Sequence, residues 1–345
     1  EEVALAERLL SLHAWADNAR FARTGGEACA MAVRIARATT GRSRVAICGY
    51  HGWHDWYLAA NLADSTALDG HLLPGLPPAG VPRELAGTTA TFRYDSTDEF
   101  DAVVDASGGD GLAAVVMEPC RYHDPSPGFL EHVRRRCSEI GAVLVFDEIT
   151  IGFRLTHGGA HLRLGVSPDV AVFAKALGNG HPIAAILGTE AAMSGARESF
   201  ISSTYWTEAV GPVAALATLE KLERVDAQAR IAETGRRVQT LIRDAAEAAG
   251  FSLTVAESYP CFVKLAFHRP HTATKEAPFV DRMRDRGFLA STAIYPSVAH
   301  TEATVRRYEA AVGEVFIELA ELERRGDLPA AYPGPLPEKD FARLV

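Results

Sequence analysis

Short apolar runs punctuate the first two thirds of the chain, and stretches with helical spacing lie between them. Residues 44–50, 113–119, 142–148, 170–175 and 183–189 are strand candidates, apolar at successive positions and therefore on both faces. Strands of a parallel sheet covered by helices on both sides carry that pattern, whereas half-exposed strands alternate. Residues 26–41 and 129–141 have helical spacing, and Gly141 is placed to end the second helix. Strand and helix alternate in this way over 20–225. The pattern predicts an α/β fold: a three-layer, mainly parallel sheet between helices.

From about Glu208 to Gly250 the spacing is helical. "FSLTVAE", "CFVKLAF", a helix near 277–286 and "STAIYPS" follow, and then an amphipathic helix carrying Val305, Tyr308, Val312, Val315, Phe316, Leu319 and Leu322. The expected organisation is a major domain over 1–225, a connecting helix over 226–250 and a smaller C-terminal α+β domain over 251–345. The Pro-rich stretch "LPAAYPGPLPEKD" is expected to be irregular. The chain opens without Met, directly in an amphipathic helix with Leu5, Leu9, Leu12 and Trp15 on one face. That beginning reads as the middle of a fold, so an N-terminal portion is expected to be missing.

Composition narrows the function classes. The chain has 345 residues, 48% hydrophobic and 23% charged, which suits a globular protein of two domains. A net charge of −9 argues against nucleic acid or anionic membrane as the main partner. There is no run of 18 apolar residues and no recognisable signal peptide. The five cysteines (Cys29, Cys48, Cys120, Cys137 and Cys261) sit in scattered apolar settings without a CxxC pair. They read as reduced core thiols of a cytoplasmic protein.

Ligands of α/β sheets bind beyond the carboxyl ends of the strands, and three features stand there. "RTGGEA" (23–28) opens a helix: Thr24 can cap it, while Gly25 and Gly26 let a ligand approach the backbone. It is either an ordinary capped helix or an anion site. "VLVFDEITIGFR" (143–154) ends a strand in Asp147 and Glu148, an acidic pair that suits a metal, acid–base work or a solvated turn. Lys175 follows an apolar run and is one of only five lysines among 35 basic residues. It is either a snorkelling lysine or a desolvated amine able to attack a carbonyl.

Together the three match the anchors of pyridoxal 5′-phosphate (PLP): an anion cradle, a carboxylate for the pyridinium nitrogen and a lysine for the aldehyde. "CGYHGWHD" (48–55) adds an aromatic lid through Tyr50, His51 and Trp53. From about residue 4 to 325 the chain resembles class III, fold-type I PLP-dependent aminotransferases, especially the glutamate-1-semialdehyde 2,1-aminomutase-like branch. The resemblance runs in order through "RTGGEACAMAVRIAR", "GYHGWHD", "VVMEP", "LVFDEITIGFR", "FAKALGNGHPIAAILG", "SSTYWTEAVGP" and "YPSVAHTEA". Its most specific part is Asp147-Glu148 with Lys175 28 residues after Asp147.

The resemblance implies roles. Lys175 would hold the cofactor as a Schiff base and later move the substrate proton. Asp147 would face the pyridine nitrogen. Thr24, Gly25 and Gly26 would bind the phosphate. Tyr50 and Ile149 would cover the two ring faces, with His51 and Gly52 shaping the loop. Thr204, or Thr207 if the alignment slips, would reach the phosphate of a neighbouring subunit, making a homodimer with shared sites. Glu148 and Arg154 read as structural. The reaction implied is amino-group transfer between a small-molecule amino donor and a carbonyl acceptor.

Departures cluster around the substrate. The usual Ser-Gly-Thr phosphate loop is Thr24-Gly25-Gly26 here, "EPCRYHDP" (118–125) replaces the "EPVxGN" run, and "TYWTEAVGP" lacks the Ser-Gly-Asn-Pro of the aminomutase loop. Trp53, Arg121 and His123 are the candidate substrate contacts. Three alternatives remain: a PLP racemase or epimerase, with His51, Tyr205 or Trp206 near the ring; a truncated non-catalytic paralogue; and a metal enzyme built on Asp147, Glu148 and His157 or His161. The metal alternative leaves Lys175 and the glycine loop unexplained.

Overall fold

The apolar runs do form strands. Joined by two strands outside those runs, β1 (Asn18–Ala22) and β3 (Thr89–Thr91), they are β2 (Arg44–Cys48), β4 (Leu112–Met117), β5 (Val143–Asp147), β6 (Val170–Phe173) and β7 (Ala184–Gly188). This computed structural model describes residues 1–71, 73–108, 111–267 and 272–332; the rest of the Pro-rich stretch, from 333, lies outside the described residues. The strands build one sheet in the order β1-β7-β6-β5-β4-β2-β3. Four pairings are parallel, and β7 runs antiparallel to both β1 and β6. The sheet is thus mixed but mostly parallel.

Helices cover both faces: α1 (Glu2–Leu12), α2 (Gly25–Thr40), the short α3 (Asp55–Leu58) and α4 (Ala60–Ala63), α5 (Thr97–Ala106), α6 (Phe129–Ile140), the short α7 (His161–Leu164) and α8 (Glu190–Met193), and α9 (Val210–Arg224). Strand alternation decides which side chain meets which helix. Val143, Val145, Val170, Val172 and Ile186 pack with α2 residues Cys29, Val33 and Ile35. On the other face Leu144 and Phe146 meet Phe100, Phe129 and Val133 of α5 and α6. Beside them Ala171, Phe173 and Leu187 meet Leu5, Leu9, Ala215 and Leu219 of α1 and α9. Each such fully buried aliphatic side chain contributes roughly 1.5–3 kcal/mol.

These elements belong to one compact unit, Glu1–Arg224, and a second unit begins at Val225. The second unit holds α10 (Ala227–Ala249), β8 (Leu253–Val255), β9 (Val263–Phe267), α11 (Thr272–Asp285), β10 (Ala293–Ile294) and α12 (Glu302–Arg325). Its antiparallel strands run in the order β10-β9-β8. Phe251, Phe279 and Phe316 stack at its centre with ring centroids 5.4 and 5.7 Å apart.

Candidate active site

Alternation along β5 puts Asp147 on the same face as Val145, toward α2, and it is only 3% exposed. Its carboxylate is held from three directions. His51 Nδ1 donates to Oδ2 at 2.7 Å, the Ile149 N–H donates to Oδ1 at 3.0 Å, and the Cys29 thiol lies 3.6 Å from Oδ2. Cys29 is on α2, one turn after the glycines, so the same end of one helix supplies both a contact to this carboxylate and an anion cradle. Burial, reinforced by Asp147, pushes the Cys29 thiol well up in pKa, so it stays a neutral donor.

The start of α2 is a capping box. Thr24 Oγ1 accepts the Glu27 N–H at 3.3 Å, while the Glu27 carboxylate accepts the Arg23 and Thr24 N–H groups at 2.8 and 3.4 Å. The first intrahelical bond is from the Ala28 N–H to the Thr24 carbonyl, at 3.0 Å. The Gly25 and Gly26 N–H groups precede it and point out of the helix end, an arrangement that suits an anion. A side chain at either position would press on a neighbouring side chain. A Cβ on Gly25 would lie 2.7 Å from Ile149 Cδ1, and one on Gly26 would lie 3.1 Å from His54 Cε1. Gly52 comes against Gly26 from the 48–55 loop, with φ at +106°.

That loop also presents Tyr50, half-buried and edge-on to Tyr57 at 5.8 Å; burial raises its phenol pKa. His51 stacks on Trp56 with centroids 6.4 Å apart. Trp53 is 70% exposed and stacked on His54, outside the cluster formed by the other loop residues.

Lys175 stands just past β6, beside β5, where Asp147 pairs with Val172. It has φ +45°, and Asn179, four residues on, also adopts the left-handed region. Such strain in non-glycine residues gathers at functional sites. The lysine is solvent-exposed in part, and its Nζ donates to Thr150 Oγ1 at 2.8 Å. The protein wall around the amine lowers its pKa; Asp147 opposes that, and the Arg154 and Arg121 charges add to it.

At the end of β4, Glu118 and Arg121 form a bidentate pair, Nε to Oε2 at 2.7 Å and Nη2 to Oε1 at 2.5 Å. Burial works against the Arg121 charge, and Glu118 more than offsets it, so the guanidinium is held firmly charged. Burial pushes the Glu118 carboxyl up, against the pull of Arg121. His123 is exposed, with its ring edge-on to Tyr94 at 6.1 Å. Thr204 is exposed too, in a short turn that also holds Thr207. That turn is fastened to the cradle helix: Arg23 pairs with Glu208 at 3.1 Å and Trp206 Nε1 donates to Glu27 at 3.2 Å.

Glu148 points the other way. It accepts the Ala160 and His161 N–H groups at 2.9 and 3.0 Å and His161 Nδ1 at 2.8 Å. Trp15 Nε1 can only donate, so His161 Nε2 accepts it at 2.8 Å. With both His161 nitrogens engaged and the two carboxylates on opposite sides of the chain, this pair does not form a metal site with His161. The sequence reading missed Thr150, Cys29 and the Glu118–Arg121 pairing. The one sequence signal for Thr150 is a polar residue inside an apolar flank three positions after Asp147.

The family model described as aminotransferase class-III matches residues 1–305. The chain is 34% identical over 253 residues to the 3-aminobutyryl-CoA aminotransferase of Cloacimonas acidaminovorans (strain Evry), a match covering 71% of this chain and 57% of that protein. It therefore spans little more than half of that relative's length. It is 31% identical over 318 residues to the 2'-deamino-2'-hydroxyneamine transaminase of Streptomyces kanamyceticus, covering 91% of this chain and 76% of that one. A solved structure, the PLP internal aldimine form of the Sphingopyxis sp. MTA144 FumI protein, matches with a TM-score of 0.82 at 24% identity. It covers 94% of this chain and 76% of that one, and at that identity the likeness speaks for the fold.

Proposed function

The chain belongs to the class-III aminotransferases, and from that membership we propose that it transfers amino groups between a primary amine and a carbonyl acceptor, with PLP as its cofactor. The observation that carries the reading is the meeting of three chemistries at adjacent strand ends. Lys175 follows β6, Asp147 ends β5, and Cys29 of the cradle helix touches Asp147.

The residues fit that cofactor. Two glycines leave open a helix end that any Cβ would crowd, a buried carboxylate faces the same side, and a primary amine of lowered pKa stands beside it. Thr24, Gly25 and Gly26 would hold the phosphate, and Asp147 the pyridine nitrogen, with His51 and Gly52 shaping the loop. Tyr50 and Ile149 would flank the ring, and Lys175 would hold the aldehyde carbon. When bound, the cofactor supplies an electron-withdrawing ring that stabilises negative charge on the substrate carbon. Asp147 would keep the ring nitrogen protonated. Lys175, its pKa lowered by desolvation, would take the proton from that carbon.

Thr204 would serve the phosphate of a second subunit, making a homodimer. Phe200 and Tyr205 on the same segment are 83% and 75% exposed, which supports a covered surface there. Burial of all five cysteines supports a protein kept reduced in the cytoplasm. Two relatives carry transaminase or aminotransferase names, which favours that reading over a glutamate-1-semialdehyde-type aminomutase, a racemase or a non-catalytic paralogue. The substrate contacts to examine first are Arg121 and His123, with Trp53 at the rim.

The test begins with the purified protein loaded with PLP. Borohydride should fix the cofactor on Lys175, read by peptide mass mapping. A panel of amines, including amino sugars and β-aminoacyl thioesters, should then bleach the visible band, and turnover should need an added carbonyl acceptor. Turnover without an acceptor would favour the aminomutase or racemase. A colourless protein indistinguishable from Lys175→Ala would sink the enzyme reading.

A further inference from the structure

We propose that Thr150 is the positioning residue for Lys175: its hydroxyl holds the lysine amine in place whenever that amine is not bonded to the cofactor. This rests on the role of Lys175 given above.

The contact is direct, Nζ to Oγ1 at 2.8 Å. A lysine side chain has four rotatable bonds, and ordering it costs roughly 1.5–2 kcal/mol. Thr150 offers a fixed point for that ordering. Its β-branched side chain is stiff at χ1, it is 6% exposed, and its carbonyl accepts from the Arg154 guanidinium. The rest of the electrostatic surroundings of the amine would not hold it in one place. Asp147 and Glu118 attract it while Arg154 and Arg121 repel it, and neither carboxylate is free: Asp147 is tied to His51 and Glu118 to Arg121. By accepting one N–H, the Thr150 hydroxyl leaves the lone pair of a neutral amine free to take a proton from substrate.

The chemistry separates hydroxyl from shape. Thr150→Val keeps the volume and β-branch but cannot hydrogen-bond, whereas Thr150→Ser keeps only the hydroxyl. In Thr150→Val holoenzyme, kcat should fall about tenfold or more with KM for the amine little changed. A deuterium substituted at the reacting carbon should slow this variant more than it slows the parent. In the apoprotein, reductive methylation of Lys175 by formaldehyde and cyanoborohydride should run severalfold faster, because the amine is no longer held. Thr150→Ser should recover both. Thr150→Val matching the parent in kcat, isotope effect and labelling overturns the proposal, and so does Thr150→Ser behaving like Thr150→Val. Thr150→Ala supplies the same contrast should Thr150→Val not fold. If borohydride fixes no cofactor on Lys175 of the parent, the proposed function falls and this inference with it. If it does, a parent-like Thr150→Val removes this inference alone.

Discussion

His51 and Asp147 are joined across 2.7 Å with both side chains sealed from solvent, and among the described residues His51 Nε2 has no hydrogen-bond partner. The imidazole is thus dedicated to one carboxylate oxygen. A hydrogen bond to a charged group contributes roughly 1.5–3 kcal/mol. His51→Ala should therefore weaken PLP binding about tenfold or more, and His51→Asn should recover part of the loss by donating from a similar place. Absorption titration of apoprotein with PLP reads this. Unchanged affinity in His51→Ala would remove His51 from the cofactor site.

The glycine cradle allows a ranking. A Cβ on Gly26 meets the His54 ring, which can swing away, whereas a Cβ on Gly52 meets the Gly26 backbone at 3.1 Å with φ at +106°. Backbone cannot move aside, and a non-glycine residue at such a φ costs roughly 1–3 kcal/mol. Gly52→Ala should lower both thermal stability and PLP affinity, and Gly26→Ala should lower affinity with the smaller loss of stability. Calorimetric melting and PLP titration of the two variants settle the order.

The parts of this architecture that depend on local rules could be read from the chain. Thr24 caps α2, Gly141 ends α6 in the left-handed conformation and the apolar runs became strands because capping chemistry and hydrophobic period act over a few residues. Strand direction is set by connections and partners, so the antiparallel course of β7 left no mark in its apolar run. β3 was missed because Thr89–Thr91 is too short to carry a period. Cys29 and Asp147 are 118 positions apart, and no local pattern foretells a contact at that separation. Trp53, grouped with its loop neighbours by sequence proximity, turns out to solvent because its neighbours fill the space beneath.

Acid should loosen the anchoring of α1. His13, fully buried, donates from Nδ1 to the Leu9 carbonyl at 2.8 Å and accepts the Gly159 N–H on Nε2 at 3.0 Å. A second ring proton would face that N–H. Burial lowers its pKa from 6.5 to about 4, against the opposing pull of the hydrogen bond to the Leu9 carbonyl. The unfolded chain then binds a proton between those values and the folded one does not, so stability is fully present above pH 6.5 and is lost as pH falls toward 4. The loss is about 3 kcal/mol over that window. Urea unfolding at pH 7 and pH 4.5 should show a steeper fall for the parent than for His13→Gln. Equal slopes would refute the assignment.

Asp147 and Glu148 are neighbours in the chain with divided duties, and two conservative amides should separate them. Asp147 faces Cys29 and His51 on the α2 side, whereas Glu148 gathers two backbone N–H groups and the His161 ring on the other. Glu148→Gln replaces one accepting oxygen with a donor that must face donors, at a cost of about 3 kcal/mol. It should lower the urea midpoint while PLP affinity stays within about twofold, because none of its partners belongs to the cradle or the Lys175 wall. Asp147→Asn should do the reverse: a modest change in the urea midpoint of the apoprotein and a large loss of PLP affinity and of turnover, since an amide cannot keep the ring nitrogen protonated. Both readings come from the same two samples. Loss of cofactor from Glu148→Gln as complete as from Asp147→Asn would show that the two carboxylates act as one unit and would overturn the division.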